Sequence, residues 1–466
     1  MTLPGSPLVA DIALWRAEQA HRSGFAVARR PLTQVARWTL GDDALAHDTG
    51  GFFRVLGIET RARDDAGGPD MVERQPFIDQ PEIGILGFLS RRKAGGRELL
   101  VQAKTEPGNI GAVQLAPTFQ CTPSNYERRH AGTVAPYLDL FRDADAGAIV
   151  ADARQSEQGS RFLGKRNRNM LVEVTQAQAP EPADAAWRWL PAADVLRLLA
   201  WDNVLNTDAR SVLVSAPWDR LADGPAFAGW RGRGGFGEAV AQSHAAADDA
   251  GEETSARLAA WLARHRAARQ HLHARLPLAA IPGWRLAEAG LVPDIAAERP
   301  GGFAVHGFDV RARDREVPEW QQPLVESTGE GTVTLLCQRR RGILHLLLRA
   351  IGEAGLANRV EVTASLQVAP GAAMPAPWRT LHAAAEDGRA AVRLACRQSE
   401  EGGRFFQDSN LYRVVELPED MAVPMADDLR WATVRQFESL CRTPGTVTNE
   451  GRSAASLLLS LAGGPA

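Results

Sequence analysis

Between Val101 and Gly132 the chain reads VQAKTEPGNIGAVQLAPTFQCTPSNYERRHAG, setting a lysine, a glutamate, carboxamides, hydroxyls, a tyrosine and a histidine among apolar residues. A solvated loop has no need of Val113, Leu115 and Phe119. A structural core strand has no use for Lys104, Glu106, Asn109, Gln114 and Gln120. The mixture suits a strand and turn lining a polar pocket, where convergent polar groups sit among apolar walls. Of 53 basic residues only Lys93, Lys104 and Lys165 are lysines. A lysine kept inside this segment is informative, because its amine changes pKa when desolvated and a guanidinium does not. The plainer reading of Lys104 is one more surface cation.

The elements that must position these residues read as mixed α and β. A helix over Asp11–Ser23 precedes an extended run at Phe53–Arg61. Strands Ile83–Arg91 and Glu98–Ala103 flank a Gly95-Gly96 turn, a hairpin pattern. Val113–Gln120 reads as a further strand, with Pro117 placing it at an edge or bulge. Leu171–Val174 closes the sheet. Pro191–Ala200 and Asp208–Val214 have helical spacing, the second with Asp208 as N-cap.

The chain also repeats itself, with offsets between 242 and 250 residues. SEQGSRF from Ser156 returns as SEEGGRF from Ser399. Trp189 and Trp431 each stand 21 residues before an Arg-Ser pair, and RARD ending at Asp64 returns at Asp314. Such ordered anchors identify a duplication, with a first repeat over 1–238 and a second over 277–466. The Ala-, Arg- and Glu-rich stretch 239–276 reads as a connecting helix with Trp261 and Leu262 buried. His265, His271 and His273 are spaced poorly for one face of it and read as solvated, not as metal ligands.

A net charge of −3 gives no footprint for nucleic acid, and no apolar run is long enough to span a bilayer. The N-terminal segment lacks the basic head and apolar middle of a signal peptide. Cys121, Cys337, Cys396 and Cys441 are scattered, against a disulfide or metal framework. These features describe a cytoplasmic protein.

The run KTEPGNIGAVQLAPTFQCTPSNY from Lys104 to Tyr126 closely resembles that of the NDP-hexose 2,3-dehydratases of deoxysugar biosynthesis. PEIGILGF from Pro81, SEQGSRF, NTDARS from Asn206 and SEEGGRFF resemble further blocks of that family, so the resemblance covers nearly the whole chain. It implies an α+β fold of two tandem Nudix-like domains and a homodimer. The implied substrate is a dTDP-4-keto-6-deoxyhexose such as dTDP-4-keto-6-deoxyglucose, and a downstream 3-ketoreductase would receive the unstable product. The implied reaction starts with loss of the carbon-3 proton, made acidic by the carbon-4 ketone. Hydroxide then leaves carbon 2, and the enol tautomerises to a 3,4-diketo-2,6-dideoxy sugar. No hydride moves, and no Gly-rich dinucleotide fingerprint follows a strand, so no cofactor is expected.

For that reaction Glu106 is the candidate base or acid, with His130 and Tyr126 as alternatives for the proton that accompanies the leaving hydroxyl. Lys104 would face the developing enediolate. Asn109, Gln114, Thr118, Gln120, Thr122, Ser124 and Asn125 would orient sugar hydroxyls, and Glu157 is a further substrate-binding candidate. Arg128, Arg161 and Arg210 are candidates for the diphosphate, although Arg161 could instead bridge its own Glu157. Phe162 or Tyr126 could stack on the thymine. Plainer readings put Glu106 in a turn cap and His130 on a surface loop.

In the second repeat the same segment reads AIGEAGLANRVEVTASLQVAPGAA from Ala350. Ile351 replaces Lys104, Ala354 replaces Pro107, Leu356 replaces Asn109 and Glu361 replaces Gln114, while Glu353 and Gln367 survive. One working site, in the first repeat, is therefore expected. A Nudix-type hydrolase would need a GxxxxxE stretch and a REUxEE helix, which the chain lacks. A non-catalytic nucleotide-sugar binder is the other reading, favoured by the degenerate second repeat and opposed by the intact first one.

Overall fold

The computed structural model describes residues 6–64, 71–126, 135–294, 302–313, 317–374 and 376–465, with backbone alone for Asp64, Asn125, Tyr126 and Pro377. It is a mixed α and β structure of two repeated halves, each centred on a seven-stranded sheet. In the first half the order is Ile149–Ser156, Arg166–Glu173, Ile85–Lys93, Gly96–Thr105, Trp187–Pro191. Arg166–Glu173 runs parallel to Ile85–Lys93 and the remaining pairs are antiparallel. The sheet thus ends at Trp187–Pro191, a strand beyond the one expected to close it.

The Gly95-Gly96 hairpin forms as expected, Lys93 pairing with Gly96, whose φ of +112° suits glycine. The expected strand Val113–Gln120 divides at Pro117, which has no N–H to offer a ladder. Val113–Ala116 pairs with Gly96–Thr105, and Phe119–Cys121 crosses to Ile85–Lys93. The Thr118 hydroxyl bridges the break, accepting from Leu89 N–H and donating to Leu100 O. Ser365 repeats this bridge in the second half with Leu336 and Leu347.

Each half also lends a strand to the other. Ala26–Arg30, which follows the helix Pro7–Ser23, pairs with Phe303–Arg311 in a five-stranded sheet whose other strands belong to the second half. Arg269–Leu276, which follows the helix Ser255–Ala268, pairs with Arg54–Asp64 in the matching sheet of the first half. Trp15 and Trp261 anchor the two helices alike, through indole bonds to Ala185 O and Asp427 O. The stretch 239–276, expected to be a connecting helix, therefore contains the opening helix of the second repeat and ends in a strand. His271 and His273 lie on that strand, His273 against Thr60, and only His265 is helical.

Between the two seven-stranded sheets lies the main core, crossed by the fully buried helices Thr207–Ser215 and Asn449–Ser460. Arg210 reaches Leu205 O, Ser399 O and Ser453 Oγ; Arg452 reaches Val447 O, Ser156 O and Ser211 Oγ. Each arginine thus fastens its own helix start to the other half's repeated loop. Burying a guanidinium costs little only when its donors are met.

Candidate active site

The repeated loops interlock at the centre of the molecule. Gly108 N donates to Gly402 O at 2.7 Å, and Gln407 N donates to Gly108 O at 2.8 Å. A Cβ on Gly108 would stand 1.6 Å from Phe405 O, so only glycine lets the EPG turn seat on the 399–406 loop. The mirrored contact puts Gly355 against Gly159 and Phe162, where a Cβ would meet Phe162 O at 1.7 Å. Each half's turn is therefore backed by the other half's loop.

This docking opens a cavity of about 1550 Å³ beside Lys104–Gln120, with Glu401, Gly403 and Arg404 of the second half in its wall. At the end of the strand Gly96–Thr105, Lys104 Nζ lies 3.1 Å from Glu106 Oε1, both side chains buried. Gln120 Nε2 donates to the same oxygen at 3.0 Å, and the Gln120 carbonyl group lies 3.4 Å from Lys104 Nζ. Asn206 Nδ2 donates to Gln120 Oε1 at 2.9 Å, fixing the amide's orientation. Glu106 Oε2 is buried without a hydrogen-bond partner. A carboxylate with one oxygen held by a cation and an amide, and the other unmet, can accept a proton from a bound molecule.

Asp208, Lys165 and Asn167 line the same cavity. Asn206, not Asp208 as expected, caps the helix Thr207–Ser215, accepting from Ala209 N–H. Asp208 is thereby left to face the cavity. Burial, then Glu401, Glu157 and Glu106, hold its carboxyl well above the usual range, against Lys104. Burial depresses the Lys165 amine, which donates to Glu82 O. Two lysines and an arginine thus offset a group of carboxyls that would otherwise repel one another.

Of the residues singled out in the sequence, Lys104, Glu106, Thr118, Gln120 and Thr122 line this cavity. The Thr118 hydroxyl is engaged by backbone, and Thr122 lies 3.4 Å from Ser124 Oγ. Ser124 is buried on Glu82. Asn109 was expected to orient a substrate; its amide donates to Lys104 O at 3.0 Å and to Ala112 O, shaping the turn from behind. Gln114 likewise is fully buried, joining Ser399 and Asn203 across the two halves. Glu157 accepts from Asn167 at 2.7 Å and Asn449 at 3.3 Å rather than from Arg161.

Two phosphate candidates are corrected by the packing. Arg210 is the core fastener described above. Arg161 lies in a second cavity of about 430 Å³, its guanidinium 4.1 Å from the centre of the Phe303 ring. Phe162 is core, edge-on to Phe405, and not a stacking platform. Asn125 and Tyr126 end the helix Pro123–Tyr126, their side chains outside the described residues, as are Arg128 and His130.

Sequence reasoning missed Asp208 as a cavity residue, Lys165, Glu401 and Arg404. The last two could have been found by asking what SEEGGRF, so close to SEQGSRF, contacts across the duplication. Arg404 is anchored on Gln80 and lies 4.3 Å over the Phe53 ring, inside the first cavity.

Comparison with known proteins agrees with this geometry in extent, both halves being matched. The family model described as NDP-hexose 2,3-dehydratase matches residues 9–215 and 255–458. A dTDP-4-dehydro-6-deoxy-alpha-D-glucopyranose 2,3-dehydratase of Saccharopolyspora spinosa is 36% identical over 96% of this chain and 90% of its own. A protein of the same description from Streptomyces violaceoruber is 34% identical over 96% of both chains. Another, from Amycolatopsis orientalis, is 31% identical over 98% of this chain and 91% of its own. Matched in both halves and along nearly its full length, the chain belongs to the NDP-hexose 2,3-dehydratase family.

Proposed function

We propose that the chain eliminates water across carbons 2 and 3 of dTDP-4-keto-6-deoxyglucose to give the 3,4-diketo-2,6-dideoxy sugar. The observation that carries this reading is the buried Lys104–Glu106–Gln120 group on the cavity wall, 3.1 and 3.0 Å apart at their contacts with Glu106. Glu106, its second oxygen unmet, takes the carbon-3 proton. Lys104 faces the oxyanion that the carbon-4 ketone becomes, an interaction stronger in the transition state than in the ground state. Gln120, held by Asn206, fixes the carboxylate and leaves Glu106 one productive orientation.

For the nucleotide end the cavity offers Arg37, Arg313 and Arg404 with Trp38 and Phe52 on its walls. Guanidinium forks suit phosphate oxygens and indole or phenyl faces suit a base. The same reading includes a tandem Nudix-like pair, a homodimer and a cytoplasmic setting. The repeated mixed sheets, each with one parallel pair, support the first. Four free cysteines suit a reducing compartment. A vicinal diketone is reactive, which supports prompt use by a 3-ketoreductase.

The test is incubation of the purified protein with dTDP-4-keto-6-deoxyglucose, borodeuteride trapping and mass analysis. Loss of water with deuterium at carbons 3 and 4 is the expected result. Unchanged substrate that still raises the melting temperature would replace this reading with a non-catalytic binder.

A further inference from the structure

The elimination needs an acid for the hydroxyl that leaves carbon 2, and the Lys104–Glu106–Gln120 group supplies none. We infer that Glu401, carried into the first cavity by the second half's loop, is the catalytic acid that protonates that hydroxyl; the inference rests on the dehydration reading above.

Geometry places it there. The bonds between Gly108 and the 399–407 loop hold Glu401 in the wall of the cavity that contains Glu106. The point where a Cβ on Gly403 would stand is 3.0 Å from Glu401 Oε1 and 3.9 Å from Glu106 Oε1, so both carboxyls face one small volume. The repeat carries Ser160 at this position, where Gly403 leaves that volume open. The Glu401 carboxyl makes no hydrogen bond among the described residues, which leaves it available to a ligand.

Charge agrees. Glu401 is faced by Arg404 of its own loop, Glu106 and Lys104 of the docked turn, Glu157 and Lys165 of the twin loop, and Asp208 of the buried helix. Burial, assisted by Glu157 and Glu106 and opposed by Arg404 and Lys165, pushes its carboxyl up to about 7. Glu106 meanwhile has a lysine at 3.1 Å. A carboxyl raised by burial suits an acid, and a neighbouring carboxylate paired with a lysine suits the base beside it. Asp208 is also raised, but its twin Glu450 keeps a carboxyl, whereas the twin of Glu401 is Gln158, which cannot donate in this way. A carboxyl at this loop position thus stands in the cavity that also has the lysine, and its twin in the other cavity is an amide.

The step balances. Glu106 takes the carbon-3 proton and the electron pair moves onto the carbon-4 oxygen. That pair returns, a carbon-2–carbon-3 double bond forms, and the carbon-2–oxygen bond breaks as Glu401 gives its proton, releasing water. Ketonisation takes one proton from oxygen 3 and delivers one to carbon 2, restoring both carboxyls.

The test is Glu401→Gln in the full chain, assayed for product and for exchange of the carbon-3 hydrogen in deuterium oxide. The twin loop already carries glutamine at this position, so the loop tolerates the amide. Expected is a loss of kcat of about 10²-fold or more, with KM of wild-type order, continued carbon-3 exchange, and disappearance of the fall in kcat above about pH 7. Glu106→Gln should lose exchange and elimination together. Undiminished turnover in folded Glu401→Gln would overturn the assignment, as would loss of exchange along with elimination. So would finding the exchange-without-elimination phenotype in Asp208→Asn instead. A wild-type protein that neither exchanges nor dehydrates overturns the dehydratase reading itself, a result distinct from all of these.

Discussion

At the first cavity Lys104 stands opposite Gln114 across two paired strands; at the second, Ile351 stands opposite Glu361 at the same register. The substitutions continue around the wall. Lys165 becomes Asp408, Glu401 becomes Gln158 and Asp208 becomes Glu450, while Glu106, Gln120 and Asn167 persist as Glu353, Gln367 and Asn410. The first cavity offsets its carboxyls with lysines. The second has lost both lysines, and burial holds Glu353, Glu450 and Asp408 above the ordinary carboxylate range there, as it holds Asp208 and Glu401 in the first. Yet the seated glycine, the Thr118 or Ser365 bridge and the crossed arginines are the same in both. The frame and the chemistry are therefore specified by different residues, and the second half retains its frame because the first cavity is walled by its loop.

The comparison can be broken most directly by making the first cavity resemble the second. Lys104→Ile should lower kcat about 10²–10³-fold, the usual cost of one transition-state donor, with folding intact by circular dichroism. Glu353→Gln, the matched change in the second cavity, should leave turnover at the wild-type rate. Equal losses in the two variants would mean that both cavities work.

The docked turns give a second, smaller contrast. Gly108→Ala and Gly355→Ala each force a Cβ onto a carbonyl oxygen and should each destabilise by about 1–3 kcal/mol in urea titrations. Turnover, measured where both variants are folded, should fall much further for Gly108→Ala, because only that turn carries Lys104 and Glu106. Similar activity losses would show that the cavities are coupled through the frame.

The smallest effect concerns pH. Burial, assisted by Asp408 and Glu450, pushes the Glu400 carboxyl up to about 8, against Arg210 and the Asn410 amide that donates to it at 2.9 Å. An unfolded glutamate ionises near 4.3, so between that pH and about 8 the unfolded chain has released a proton that the folded chain keeps. Stability is highest below that window and falls as pH rises through it. The urea midpoint should drop between pH 5 and 8, and Glu400→Gln should make the drop shallower.

Much of this was legible in residues and some was not. The Gly95-Gly96 hairpin, the break at Pro117 and the pocket-lining character of Lys104, Glu106 and Gln120 rest on local chemistry, which the sequence displays directly. Gln114 and Arg210 misled because a buried polar group that joins two halves has the same residue type as one that meets a substrate. Residue type alone does not rank Asn206 above Asp208 as the cap, because both side chains can accept from a helix-start N–H. Glu401 and Arg404 escaped because a register between copies locates a twin but not the neighbour it packs against. The exchanged strands escaped for the same reason: strand pairing over hundreds of residues leaves no trace in local periodicity.

Those exchanged strands set the order in which the chain can be finished during its synthesis. Ala26–Arg30 leaves the ribosome early, but its partner Phe303–Arg311 follows some 280 residues later. At about 5–20 residues per second the early strand waits roughly 15–60 s as an unpaired edge. The sheet containing Arg54–Asp64 in turn stays incomplete until Arg269–Leu276 emerges. Neither half can close on its own, and a truncated chain ending after the first repeat should expose that edge to association with other chains.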